Sequence, residues 1–347
     1  MKISTMLQRE DFYSINEETL NGYYGRHDAR TKLYIYPNIN AIVTKRPSKA
    51  VRDYLLCEFS VRGSWLRRFA AKAYVWACLM SGGLLAAKSF DLAAPVSRNT
   101  LIYPCNKKYR IFDFEKNEVS VVVKAGFGNG ELQHEIAFRN QPSNPDFVPK
   151  LYNASERGYT ESIIDGKPLA RIEHGFEEYR EKAYALLMAY GKDAMQTVSA
   201  EAYCRNIRGR MEEKLSEEDL LTEKLHTIFS RLRQDIPEDA PIPVCFSHGD
   251  FQAGNIWVEN ETEKLYIIDW ESWGQRSVWY DRAVLFKGLR PYGLKQYFLG
   301  ENNRMERAVV LLEEMAFRLD ETDSFPESLG KEQLLEYFSG IVSMLDR

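Results

Sequence analysis

The chain has 347 residues, 44% of them apolar and 28% charged, with a formal net charge of −4. Those proportions exclude a disordered, collagenous or nucleic-acid-coating chain, and the charge balance points to no nucleic-acid partner. The length suits two compact units, or one two-lobed domain with an extension.

The opening MKISTMLQRE turns acidic where a secretory signal would carry its apolar run, so a cytoplasmic protein is expected. Cys57, Cys78, Cys105, Cys204 and Cys245 lie far apart, without CxxC pairs or histidines at ligand spacing. They read as reduced thiols with no zinc site.

KLYIY (32–36) and AIVTK (41–45) flank the turn-like PNIN and predict a hairpin. From Ser48 to about Phe90 the pattern is helical. Residues 62–88 open with the basic, aromatic RGSWLRRF and run into the apolar Ala73–Ala87. That stretch is shorter than the roughly 20 residues a membrane span needs. Membrane association through 62–88, with arginines near anionic headgroups, is the alternative to a helix packed on its neighbour with a solvated basic edge. The length and Lys72 favour packing, and no co-sedimentation with anionic vesicles is expected.

TLIY, YRIFDFE and EVSVVVK, joined by two short turns between Thr100 and Lys124, predict an antiparallel meander. A bend, AGFGNG, leads to the helix GELQHEIAFRN, with Leu132, Ile136 and Phe138 on its apolar face. FVPKLYNAS and YTESIID are further β-like pieces. Beyond Gly166 the chain is mostly helical, interrupted by a loop and hairpin within PIPVCFSHGDFQAGNIWVENETEKLYIIDWES.

That interruption carries chemistry. SHGDFQAGN places His248, Asp250 and Asn255 in an HxDxxxxN spacing, and Asp269 ends the next apolar strand. Phosphoryl transfer needs a carboxylate to orient and accept the proton of an attacking hydroxyl, and hard oxygen ligands to hold Mg²⁺ on nucleotide phosphates. Upstream, Lys124 ends a strand and Glu135 lies one helical reach beyond it, in the order of a phosphate-gripping ion pair. Each residue has a plainer reading: Asp250 as a turn cap, Lys124 as a solvated strand end, and Glu131 as a rival to Glu135. Trp270, Trp273, Trp279 and Tyr280 suit either a core or an acceptor-binding cage.

SHGDFQAGNIWV followed by IIDWE resembles the signature of aminoglycoside phosphotransferases, choline kinases and their relatives. HGD stands where protein kinases have HRD, and DWE where they have DFG. The short stretch from Asp269 to YDRA at Asp281 leaves no room for an activation segment. The resemblance implies an α+β, bilobal protein-kinase-like fold: an N-terminal extension (1–98), a small antiparallel β-rich nucleotide lobe (99–165) and a large helical lobe (166–347). It implies an enzyme that moves the γ-phosphoryl group of ATP, with Mg²⁺, to a hydroxyl of a small molecule such as a saccharide, an aminoglycoside or an amino alcohol. Asp250 and His248 would form the catalytic loop, Asp250 as base and His248 as a structural member. Asn255 and Asp269 would hold the metal, Lys124 and Glu135 would grip the phosphates, and backbone from Ser162 to Ile164 would meet adenine. Asp281 would buttress the loop. No GxGxxG lies over the phosphates, so backbone N–H groups around Pro104–Lys108, or Lys107 and Lys108, would replace it. A catalytically silent pseudokinase is the rival, and it predicts the loss of at least one of Lys124, Asp250, Asn255 or Asp269.

Overall fold

The computed structural model describes residues 10–58, 64–105, 107–141, 144–215, 220–290, 294–300, 303–322 and 327–345. The chain forms two compact units, Met1–Leu132 with Pro149–Asp165, and Gln133–Val148 with Gly166–Arg347.

The first unit contains α1 (Glu10–Tyr24), β1 (Thr31–Tyr36), β2 (Ala41–Thr44), α2 (Lys49–Glu58), α3 (Trp65–Met80), β3 (Lys88–Leu92), β4 (Thr100–Pro104), β5 (Lys108–Asp113) and β6 (Glu118–Val123). The first residues of α4 (Gly130–Arg139) follow, then β7 (Leu151–Ala154) and β8 (Gly158–Ser162). All eight strands make one sheet in the order β3-β1-β2-β4-β5-β6-β8-β7, every pairing antiparallel. Helices α2 and α3 bury Val51, Leu55, Val75, Cys78 and Leu79 against Ala41, Val43, Leu101, Phe112 and Val119 of this sheet. On α1, Tyr23 donates to Ser120 Oγ at 2.9 Å and Thr19 Oγ1 accepts from Ala125 N at 2.8 Å.

Two findings depart from the sequence pattern. A boundary expected at residue 98 falls inside a single sheet, because β2 pairs with β4 through Ile42 and Ile102. The helical stretch expected to reach Phe90 ends in β3, whose KSFDL pairs along β1 from Ile35–Lys88 to Thr31–Leu92. Arg62 lies outside the described residues.

The second unit begins within α4 and continues with β9 (Gly166–Pro168), α5 (Phe176–Gly191), β10 (Gln196–Ser199), α6 (Ala200–Glu212), α7 (Leu220–Arg233), β11 (Pro241–Ser247), β12 (Ile256–Glu259), β13 (Leu265–Ile267) and β14 (Gly274–Ser277). It ends with α8 (Tyr280–Phe286), α9 (Leu294–Leu299), α10 (Arg304–Thr322) and α11 (Glu327–Leu345). Two three-stranded sheets, β10-β11-β14 and β13-β12-β9, carry the loops between helices. One core gathers Leu225, Ile228, Tyr280, Val309, Leu312 and Phe338; another gathers Phe138, Phe147, Phe251, Ile267 and Trp270. Trp270 and Tyr280 are fully buried core residues, which answers the aromatic-cage alternative for these two.

Candidate active site

The catalytic-type loop leaves β11 at Ser247 and turns sharply at Gly249, whose φ is +84°. A Cβ there would sit 2.0 Å from the Ser272 carbonyl oxygen and 2.8 Å from Arg276, so only glycine fits. Asp281, at the start of α8, accepts from His248 N at 2.9 Å and from Gly249 N at 3.2 Å. It is buried, and it ties the loop to the helix behind it.

His248 is wholly enclosed. Its Nδ1 accepts from Asp250 N at 3.2 Å, which puts the proton on Nε2, and Nε2 donates to the Ile268 carbonyl at 3.0 Å. Burial holds its pKa below the ordinary histidine value, outweighing the nearby carboxylates. A neutral ring with both nitrogens in use organises the loop.

Asp250 is oriented from two sides. Its Oδ1 accepts from Arg290 at 2.6 Å, and its Oδ2 accepts from Gln252 Nε2 at 3.0 Å and Asn255 Nδ2 at 3.1 Å. The Asn255 amide nitrogen also donates to the Asp250 carbonyl at 2.9 Å, so its Oδ1 is the atom turned to other use. Arg290 is itself buried and heavily tied: it donates to Glu314 from Nε at 3.0 Å and Nη2 at 2.8 Å, to the Gly249 carbonyl at 3.0 Å and to the Tyr280 hydroxyl. Its guanidinium lies 3.5 Å over the Phe317 ring.

The β12–β13 hairpin brings Asn255 and Asp269 to one end. Ile256 pairs with Ile267, and Ile268 N donates to the Asn255 carbonyl at 3.0 Å. Asp269 has φ +70°, a conformation that non-glycine residues seldom adopt and that tight sites hold against its cost. Its carboxylate joins those of Glu135 and Glu271, with ligand oxygens all within 4.8 Å of one another. Three hard carboxylates suit Mg²⁺. The α4 helix is fixed here by His134, which stacks on Trp273 at 4.6 Å and pairs through Nδ1 with the Glu271 carbonyl at 2.9 Å, and by Trp273 Nε1 donating to the His134 carbonyl at 3.0 Å. Arg139 lies 3.5 Å from Glu135.

In the first unit, Lys124 is buried; its Nζ donates to the Cys105 carbonyl at 2.6 Å and sits 4.9 Å over the Tyr109 ring. Desolvation lowers its pKa to about 7. Lys107, a candidate phosphate contact, forms an ion pair with Glu131 at 2.6 Å, which also gives the rival of Glu135 its own partner. Lys108 is buried in β5. Ser162 ends β8 opposite Glu118, and Ile164 follows in the irregular stretch between β8 and β9. A cavity of about 640 Å³ lies between α1 and β6–β8, lined by Thr19, Tyr23, Ser120, Arg157 and Thr160 among others. Lys124, Ser162 and Ile164 are not in its lining.

Arg290, Glu314 and Glu271 escaped the sequence reading. Glu271 stood in the DWE motif itself, whereas Arg290 and Glu314 carry no motif and meet Asp250 only through the packing of α10.

The loop, the hairpin end and the carboxylate cluster resemble the site of kinase-like phosphotransferases. Residues 127–289 match the family model for choline/ethanolamine kinases, a stretch that holds α4, the catalytic-type loop, Asp269 and Asp281. No curated protein matches the chain in sequence. Among solved structures, a choline/ethanolamine kinase family protein from Mesorhizobium loti is 13% identical, covering 71% of this chain and 86% of that one at a TM-score of 0.43. A Streptomyces rimosus aminoglycoside phosphotransferase is 16% identical, over 62% and 92% of the two chains, at 0.40. Plasmodium vivax ethanolamine kinase is 11% identical, over 86% and 95%, at 0.39. Among the described residues, no helix is long and apolar enough to cross a membrane.

Proposed function

We propose that this chain transfers the γ-phosphoryl group of ATP to a hydroxyl of a small molecule, a saccharide, an aminoglycoside or an amino alcohol. The observation that carries the reading is Asp250, a carboxylate held on both oxygens by Arg290, Gln252 and Asn255 beside the hairpin end that presents Asp269.

In this mechanism Asp250 orients the acceptor hydroxyl and takes its proton as the new O–P bond forms and the bond to the ADP oxygen breaks. His248 stays neutral and keeps the loop in shape. Asn255 Oδ1, Asp269 and Glu271 would hold Mg²⁺, which when bound neutralises charge on the phosphates. Lys124 would contact the phosphates, and backbone from Ser162 to Ile164 would receive the adenine. A cytoplasmic setting fits both the ATP requirement and five cysteines that lie far apart in sequence without a CxxC pair.

A pseudokinase reading requires a gap at Lys124, Asp250, Asn255 or Asp269, and all four residues are in place. The test is to incubate the purified chain with ATP, Mg²⁺ and a panel of saccharides, aminoglycosides and amino alcohols, and to read products by mass. A Mg²⁺-dependent gain of one phosphoryl group on an acceptor, absent with Asp250→Asn, is the expected result. Nucleotide binding with no product from any acceptor class favours the silent reading.

A further inference from the structure

Helix α3 is apolar on two sides, and one of them faces outward. Val75, Cys78 and Leu79 are its buried residues. Trp65, Phe69, Ala73, Trp76 and Met80, spaced by four, four, three and four residues, form a continuous stripe on one helical face. That face is in solvent: Trp65 is 68% exposed, Phe69 69% and Trp76 57%, and beyond the helix Leu84 is 90% exposed. Single exposed apolar residues need no explanation, but a stripe with two tryptophans and a phenylalanine marks a contact surface.

Charge says what the contact is with. On the helical wheel, Lys72 borders the stripe, Arg68 lies beyond it toward the side of Val75 and Leu79, and Arg67 falls nearly opposite. No acidic residue occurs from 64 to 87. An isologous contact with a second copy would bring two acid-free basic faces together. An anionic lipid surface accepts both features at once, burying the stripe at the acyl boundary with Lys72 and Arg68 beside the headgroups and Arg67 adding its charge from the far side. Sixteen residues make a helix of about 24 Å, which would lie in the interface plane.

We propose that α3, with the Leu84–Leu85 turn after it, docks this protein reversibly on anionic membrane surfaces. The sequence alone favoured packing of this helix and no vesicle binding; Val75, Cys78 and Leu79 do pack, and the proposal rests on the second, exposed apolar side. The proposal is independent of the phosphotransferase reading, because binding is measured without turnover.

The test is sedimentation of the full chain with vesicles of mixed phosphatidylcholine and phosphatidylglycerol, against vesicles of phosphatidylcholine alone. Binding to the mixed vesicles only, weakening as salt rises, is expected. Replacing Arg67, Arg68 and Lys72 by Gln should lower partitioning about a hundredfold, at roughly fivefold for each charge. Trp65→Ser/Phe69→Ser/Trp76→Ser, exposed positions whose change should leave the melting temperature unaltered, should abolish it. No sedimentation with either vesicle overturns the proposal, as does binding unchanged in both variants. A dimer in light scattering that the serine variant dissolves, without vesicle binding, would instead assign the stripe to a second copy.

Discussion

The guanidinium of Arg290 bridges two carboxylates, Oδ1 of Asp250 at 2.6 Å and Oε2 of Glu314 at 2.8 Å, so the candidate base is steered from helix α10. A buried bidentate arginine fixes direction as well as charge. Arg290→Lys retains the charge and loses the fork. It is expected to lower kcat about tenfold or more with the KM for ATP little changed. Arg290→Ala leaves Glu314 without this partner and should cost about 3 kcal/mol or more of stability. Steady-state kinetics of the lysine variant, beside its melting curve, separates positioning from folding.

Asp250→Asn keeps the shape of the loop and removes the proton acceptor. A loss of about 10²- to 10⁴-fold in kcat is expected, with Mg·ATP still stabilising the protein against heat. Turnover near that of the parent chain would remove Asp250 from the mechanism.

Asp269→Ala should erase the part of the ATP-induced melting shift that depends on Mg²⁺, and Glu271→Gln should raise the Mg²⁺ concentration needed for half of it. If Glu271→Gln responds to Mg²⁺ as the parent does, Glu271 is not a ligand.

Lys124, with its pKa lowered to about 7 by burial, is largely neutral at pH 8. Arriving phosphates favour its charged form, so nucleotide binding at that pH should take up a proton. Calorimetry in two buffers of different ionisation enthalpy measures the uptake, and Lys124→Met should reduce it. Equal heats in both buffers would contradict phosphate contact by Lys124.

Glu313 is enclosed beside Ser277 and Tyr203, accepting from Ser277 N at 2.6 Å and Ser277 Oγ at 2.8 Å. Desolvation outweighs these bonds and raises its pKa to about 7. A raised carboxyl pKa means that between the ordinary value of 4.5 and about 7 the folded state holds more protons than the unfolded one. Its contribution is therefore fully present below that window and lost as pH rises through it, by up to about 3 kcal/mol. Denaturant midpoints for Glu313→Gln should fall less steeply with pH across the window than those of the parent.

Much of this architecture was legible because strands with clean alternation, such as EVSVVV, and glycine-marked loops declare themselves locally. β11 did not. Pro241 and Pro243 argue against a central strand, yet Pro243 offers only its carbonyl, which accepts from Val278 N at 3.0 Å. The loop of Asp250 was visible in its spacing, whereas Arg290 and Glu314 act on it from 40 and 64 positions away in sequence and become neighbours only through tertiary packing. The orientation of α3 was hidden for a related reason. Apolar residues occupy both its faces, so periodicity alone does not tell which side the sheet will take.

The pairing of β2 with β4 has a practical consequence for dissecting the chain. Trimming residues 1–98 to isolate a minimal nucleotide-binding lobe would strip β4 of its neighbour and bare a row of hydrogen-bonding groups along Thr100–Pro104. Such an edge recruits other chains. The truncated lobe should precipitate or pair with itself, and a soluble fragment would need either β1–β3 retained or a charged residue engineered into the newly opened border.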